Sequence, residues 1–580
     1  MAKIVYACVR DIAIADLIKK RIGSIMPMLV PDNIPTAPCK VVQKGQIIYG
    51  ISTYTPAIAE KDDCVCMGLT YESNEKWWLP QNGHPEGTYA IFRANEEFVE
   101  TVTDIACTRG IWYYKDDTIF IAGTSQRAVT ALAGKFDFDR RNIPWMLSAG
   151  IQAPTLSWNK NLGFVNPEGT VLLDRKTWEI STKSIKPDFK PSMLPEKEFQ
   201  EQFKQTLISS FKKITIDLSQ WTLPISGGYD SRGIACLLKE AGKDITRLNA
   251  ITWGLQASLQ NIDSDGYIGG IVSKALGMQH KFWPTNDTSE SIEKIFERFL
   301  RCGEGRIDHI GGYTDGMAIW KNIFHSGKYG ILRGDESFGG SLSNTYFSSR
   351  LKNEYRFCSD FSNLENFEQQ YGFEKQLMPE QFEAMPDKET PAVFRDRLNQ
   401  EFEIPFTLSP LSDIKFAFTE ILNPLLTKEI IKKSRTIPDK LRNDRKLYIN
   451  TINALSPKIP FATKKSVALR QDILLTPDAI KVLVAEISAP YMKELFPVAF
   501  LSKVLDKLQA PSSSKKKGLV YKIKYLLINS LPIRIKETLR KNMPKPAVDA
   551  GMLAFRVYIT GKMYKIFTED ARQLEAAMKD

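Results

Sequence analysis

Leu223-Pro224-Ile225-Ser226-Gly227-Gly228-Tyr229-Asp230-Ser231-Arg232 decides how the chain is read. An apolar strand ending at Ile225 enters a Ser-Gly-Gly turn, and the turn feeds a helix expected from about Ser231 to Gly242. Paired glycines let the backbone bend sharply and aim N–H groups at anionic oxygens. The hydroxyls of Ser226 and Ser231 add donors, and the helix start adds partial positive charge. Asp230 has the wrong sign for a phosphate contact but suits a Mg²⁺ ion bridging phosphates. The Gly-Lys-Ser/Thr ending of a Walker A loop is missing. The stretch therefore reads as a pyrophosphate-binding loop, placed where open parallel sheets bind ligands, beyond the carboxyl ends of their strands.

Working outward, a strand is expected at Arg247–Trp253 and a helix around Ile268–Leu276, so β and α elements alternate as in a parallel sheet faced by helices. Glu196 to Ile214 has a helical pattern, and beyond about Ala417 the chain reads as mostly helical. Residues 1–185 differ in texture. Short apolar or alternating runs such as Gly87–Phe92, Ile111–Tyr114, Thr118–Ala122 and Gly169–Leu173 are broken by turn residues, the pattern of a β-rich domain. Prolines in Lys186-Pro187-Asp188-Phe189-Lys190-Pro191 mark the boundary to a second domain over 190–580.

At 580 residues the chain is too long for one ordinary core. Its 43% hydrophobic and 25% charged residues match a soluble globular enzyme, and no apolar run is long enough for a membrane span. Met1 to Tyr6 reads as a first strand and not as a signal peptide, which points to the cytoplasm. Eight scattered cysteines without a CxxC pair read as buried free thiols, and four histidines with no i, i+4 pair argue against a zinc site. The net charge of +11 is concentrated in part between Lys515 and Lys545, where ten Lys/Arg face Glu537 alone. That tract suits an acidic or leader peptide, or equally a solvated helical face, and Pro511–Lys517 before it reads as a flexible loop.

The Ser-Gly-Gly-x-Asp-Ser turn is the PP-loop signature, and the order downstream resembles the class B asparagine synthetase family. Gly334-Asp335-Glu336-Ser337-Phe338-Gly339-Gly340, after the apolar strand Tyr329–Leu332, is similar to the family's second acidic loop. Glu420–Leu426 is similar to its ExRxPFLD segment, Lys446 falls near its K-x-x-L-R helix, and Lys464-Lys465 fall where it keeps a catalytic lysine. Gly87–Ala90, Asp104–Tyr114 and Ala122–Ser125 follow the strand order of its glutaminase domain. The resemblance covers about 80–180 weakly and 196–470 well.

It implies an α+β N-terminal sandwich of the Ntn type, then an α/β PP-loop (adenine nucleotide α-hydrolase-like) parallel-sheet domain with a helical C-terminal part. It also implies ATP and Mg²⁺ as cofactors. Ser226, Gly227, Gly228 and Ser231 would hold the pyrophosphate, with Gly334 in the second loop and Trp253 beside the adenine. Asp230 and Asp335 would bind the metal, Lys465 or Lys464 would stabilise charge, and Glu420 would orient or accept a proton of the amine. Asp265 matches an acidic residue near the nucleotide but also suits an N-cap, and Asp308 and His309 lie between the two acidic loops.

Departures from the family refine the expectation. The family's glutaminase cysteine follows the initiator Met, where this chain has Ala2, so no glutamine hydrolysis is expected. Relatives lacking that cysteine include β-lactam synthetases and lasso-peptide cyclases, which join a carboxylate to an amine of the same substrate. Leu332, beside Arg333, stands where asparagine synthetases carry Glu and β-lactam synthetases a catalytic Tyr. The interval from Asp335 to Glu420 is longer than the family usually has, and its aromatic stretch over 341–415 reads either as a surface insertion or as a lid. The leading expectation is ATP-dependent amide-bond formation through an acyl-adenylate, releasing AMP and pyrophosphate, with an intramolecular amine on a small-molecule or peptide substrate. The alternatives are an amidotransferase fed by free ammonia, a PP-loop tRNA-modifying enzyme and a decayed binding module. The sandwich-like first domain and the Asp335–Gly340 loop argue against nucleic acid as partner.

Overall fold

The computed structural model describes residues 3–35, 39–71, 76–285, 288–385, 387–467, 473–510 and 544–577, and their strands form three sheets. The first twelve strands are β1 (Ile4–Val9), β2 (Lys40–Lys44), β3 (Ile47–Ile51), β4 (Ala59–Lys61), β5 (Cys64–Thr70), β6 (Gly87–Ala94), β7 (Phe98–Thr103), β8 (Trp112–Lys115), β9 (Ile119–Gly123), β10 (Gly163–Phe164), β11 (Gly169–Asp174) and β12 (Glu179–Ser184). They make two six-stranded sheets, ordered β10-β8-β9-β1-β3-β2 and β12-β11-β7-β6-β5-β4. Every pairing within them is antiparallel.

Strand β1 shows why its sequence is apolar at every position. Ile4, Tyr6 and Cys8 share a core with Val65, Met67 and Phe92 of the other sheet. Val5, Ala7 and Val9 pack with helices Ala15–Ile25 and Gln126–Ala133 on the opposite face. Both faces of the strand are covered, so its period-2 alternation disappears.

The third sheet is fully parallel: β13 (Trp221–Pro224), β14 (Asn249–Gly254), β15 (Gln279–Pro284), β16 (Gly330–Leu332) and β17 (Glu420–Leu422), in the order β15-β14-β13-β16-β17. Helices Tyr229–Glu240 and Asp265–Ala275 connect its first strands, each beginning a few residues earlier than the sequence suggests. Because the strands are parallel, the loops after Pro224, Gly254, Pro284, Leu332 and Leu422 all leave the same edge. The molecule is thus mixed α/β, with antiparallel and parallel sheets and many helices.

The antiparallel sheets end at Ser184 and the next helix begins at Glu196, yet the core does not divide there. Trp145 and Met146 share one apolar cluster with Phe296, Phe402 and the C-terminal helix Ala550–Ala577. The same cluster absorbs the long interval before β17. Tyr355, Phe367 and Phe382 are at most 2% exposed, and Tyr355 meets Phe402 edge-on at 4.5 Å. These rings are core and not the face of a lid. None of the eight cysteines is in a disulfide, and seven are buried, as the sequence suggests, with Cys39 half-buried. Among the described residues no helix is long and apolar enough to cross a membrane. The Pro511–Lys517 loop and most of the basic tract, to residue 543, lie outside the described residues.

Candidate functional site

At the carboxyl edge of the parallel sheet, Ile225 is locked to its neighbour by its N–H donating to the Ile251 carbonyl (2.8 Å) and by the Thr252 hydroxyl donating to the Ile225 carbonyl (2.6 Å). The chain then turns through Ser226, Gly227 and Gly228 into helix Tyr229–Glu240, whose N-cap is Gly228. The side chains of Ser226 and Ser231 close the turn from within: the Ser226 N–H donates to Ser231 Oγ (3.0 Å) and the Gly228 N–H to Ser226 Oγ (3.2 Å). Gly227 has no room for a side chain, since a Cβ there would lie 2.2 Å from that of Ala462. Its N–H donates to Asp265 Oδ1 at 3.0 Å. The N-cap role offered to Asp265 belongs to Ser264, whose hydroxyl accepts from the Tyr267 N–H. Burial raises the Asp265 carboxyl, while the Gly227 N–H and Lys465 pull it down.

The two acidic loops meet as the sequence suggests. A Cβ on Gly334 would lie 2.7 Å from the Cβ of Asp230, so the loops touch backbone to side chain. Asp335 follows, its carboxylate held by Arg333 Nε at 2.5 Å. Burial raises the Asp230 carboxyl and the charge of Asp335 adds to it, against the opposing pull of Arg445. Two residues to which the sequence assigned no role, Glu336 and Arg445, adjoin this centre. Glu336 is raised to about 7, by burial first and by Asp230, with Arg445 opposing. Arg445 bonds to Asp230 Oδ1 through Nη2 and lies 3.0 Å from Glu336 Oε1 through Nε. The resemblance pointed to Lys446, one residue on, which is half exposed and lies 4.0 Å from Glu196.

A third segment, residues 459–466, straps the turn. Arg232 donates to the carbonyls of Ile459 (2.8 Å) and Pro460 (2.9 Å). Phe461 is layered between the Tyr229 ring (3.8 Å) and the Arg232 guanidinium (3.8 Å). The Ala462 N–H donates to the Gly227 carbonyl, and Lys464 pairs with Ser264 as an isolated parallel bridge. The strap therefore carries Lys464 and Lys465 to the Ser-Gly-Gly turn. Lys464 Nζ is 3.6 Å from the Asp263 carboxylate, and Lys465 is exposed. Trp253 lies at the end of β14, half-buried and edge-on to Trp320 at 5.9 Å.

Glu420 does not join them, which corrects its reading as a proton acceptor at this site. It is the first residue of β17, level with Gly330 and Trp221 at the opposite end of the sheet. Ser226 is five residues beyond Trp221, about 16 Å along the strand direction. Glu420 is 2% exposed and bonded to Arg109, whose guanidinium lies 3.7 Å over the Phe416 ring. Burial opposes its ionisation, yet Arg109 helps hold its carboxyl below the usual range, so it is a buried strut. Asp308 is also structural, bonded to Arg556 Nε at 2.7 Å, and His309 lies exposed beside it.

Among the described residues no three His, Cys, Asp or Glu side chains are grouped to hold a metal by themselves. Asp230 and Asp335 would offer two hard oxygen ligands from adjoining loops, a donor set whose chemistry fits Mg²⁺. No protein-family model matches the chain, and no curated protein does.

Proposed function

We propose that the chain is an ATP-dependent carbon–nitrogen ligase that activates a carboxylate as an acyl-adenylate and passes the acyl group to an amine. The observation that carries this reading is the contact of the Asp230 and Asp335 loops beside a Ser-Gly-Gly turn opening a helix at the carboxyl edge of a parallel sheet. On this reading Asp230 and Asp335 would hold Mg²⁺, which when bound would supply charge neutralisation at the phosphates. The hydroxyls of Ser226 and Ser231 turn from the backbone towards phosphate oxygens, and Gly228 lets those oxygens approach while Gly227 makes room for Ala462 of the strap. Trp253 lies at the adenine side. Lys465, or Lys464 beside it, stabilises the charge that builds on the α-phosphate and on the tetrahedral oxyanion, a contribution of roughly 3–4 kcal/mol in comparable sites. Glu420 takes no part. The first domain, of Ntn type on this reading, is a scaffold, and the substrate carries both the carboxylate and the amine.

The test is the product pair. Incubation with Mg²⁺, ATP and pools of amino acids or peptides should release AMP and pyrophosphate, without a requirement for ammonium. Asp230→Asn and Asp335→Asn should each lower turnover by about a hundredfold or more. ADP and phosphate as products, or unchanged turnover in both variants, would sink the proposal. Dependence on ammonium would shift it to an amidotransferase.

A further inference from the structure

Arg445 occupies an unusual place. Its guanidinium bridges Asp230 of the first acidic loop and Glu336 of the second, and lies 5.4 Å over the Tyr448 ring. Its backbone is in the left-handed region (φ +59°), and so is that of Asp444 before it (φ +55°). Two consecutive non-glycine residues in that region are costly, and such strain persists only where the surroundings impose it. They do so here: the Asp444 N–H donates to the Gly340 carbonyl at 2.6 Å and the Leu342 N–H to Asp444 Oδ1 at 3.2 Å, tying the kink to the second acidic loop. The kink lifts Arg445 off the start of helix Lys446–Leu455 and turns it to the carboxylates.

The charges explain what it does there. Asp230 feels the charge of Asp335, and Glu336 feels that of Asp230, and neighbouring like charges repel. Arg333 answers Asp335, and Arg445 answers the other two. Asp230 is also the residue that faces the metal on the proposed reading, so Arg445 and a divalent cation compete for the same carboxylate oxygens.

We propose that Arg445 is the built-in counter-ion of the nucleotide-free site, standing where the divalent cation binds and leaving when it arrives. The inference rests on the proposed function for the identity of the cation but makes its own claim. The acidic pair is kept closed by an arginine, so free metal binds weakly and binding awaits the nucleotide that brings it. Arg445 is a positioning residue, acting through Asp230 and Glu336.

The experiment is Mn²⁺ binding without nucleotide, read by electron paramagnetic resonance. Arg445→Gln should bind Mn²⁺ at least about tenfold more tightly than wild type, because a charge in direct contact has been removed, and Arg445→Lys should restore weak binding. Should the Gln variant not fold, wild type answers by itself: rising Mn²⁺ should increase glyoxal labelling of Arg445, detected by peptide mass spectrometry. Equal Mn²⁺ affinity in wild type and Arg445→Gln, or labelling that Mn²⁺ leaves unchanged, overturns the inference. A wild type that does not bind Mg-ATP in a thermal-shift assay refutes the proposed function instead, leaving the Mn²⁺ result standing.

Discussion

At the residue scale, one missing side chain sets the distance between the two acidic loops. Gly334 has room for none, since its Cβ would press on Asp230 at 2.7 Å and on the Ser231 nitrogen at 3.4 Å. Gly334→Ala forces the loops apart at a cost of about 1–3 kcal/mol, the usual range for overpacking. On the proposed reading the Asp230 and Asp335 carboxylates would then be moved out of reach of a common cation. Mg-ATP affinity should fall about tenfold or more, measured by titration calorimetry, and wild-type affinity in this variant would show that the loops need not touch. The meeting of these loops was legible in part: Ser226, Gly227, Asp230, Ser231 and Asp335 stand out because those residue types in that order suit anion and metal binding, the role proposed for them. Glu336, in the same loop, carries no comparable signature, because its burial and its contact with Arg445 come only from the fold. Arg445 left no trace, since its position depends on a left-handed kink that no local propensity predicts. Glu420 misled because a motif match gives the strand but not which end of it the carboxylate occupies.

At the element scale, the strap over 459–466 joins the lysines to the turn. Its hold is concentrated at Phe461, layered between Tyr229 and the Arg232 guanidinium. An aromatic pair contributes about 0.5–1.5 kcal/mol and a cation–π contact about 0.5–2. Phe461→Ala should therefore let the strap open more often, by roughly ten- to a hundredfold. Hydrogen exchange checks this directly: the amides of Ala462 and Lys464 should exchange faster while those of β6 in the far sheet stay protected. Uniform protection across both regions would mean that the strap is held by its backbone bonds to Gly227 and Asp263 and not by the ring. Sequence alone gave the βα alternation around the turn, because a parallel sheet writes itself as apolar strand, turn and amphipathic helix. The strap was invisible as an element, being extended, proline-bearing and paired to Ser264 across about two hundred residues of chain. The aromatic interval before β17 was ambiguous for a related reason: rings in a core and rings on a platform have the same composition, and only packing against Trp145 and Phe402 separates them.

At the scale of the whole molecule, the antiparallel sheets and the rest are stitched by buried ion pairs: Lys3–Glu304, Arg109–Glu420 and Arg127–Asp570. Glu304 ends helix Ile292–Gly303 in a left-handed residue (φ +53°) and is 1% exposed. Its carboxylate accepts from Lys3 Nζ at 2.9 Å, from the Gln126 N–H at 2.8 Å and from the Ser125 hydroxyl. Burial opposes the charge, but Lys3, the Ser125 hydroxyl and Arg127 outweigh it and hold the carboxyl below its ordinary value. A group lowered in this way binds fewer protons folded than unfolded. Its contribution to stability is full above the unfolded pKa near 4.5 and is lost as pH falls through the folded value. Glu304→Gln leaves Lys3 buried without its partner and should cost about 3–5 kcal/mol at pH 7. The deficit should shrink as pH falls below about 4.5, where the unfolded wild-type chain takes up a proton that the folded carboxylate still refuses (urea unfolding at each pH measures it). Lys3→Met combined with Glu304→Gln should recover much of the loss, because no uncompensated buried charge remains. A deficit that stays constant with pH, or a double variant no better than the single one, would place the stability of this junction in its apolar contacts and remove the carboxylate from the account.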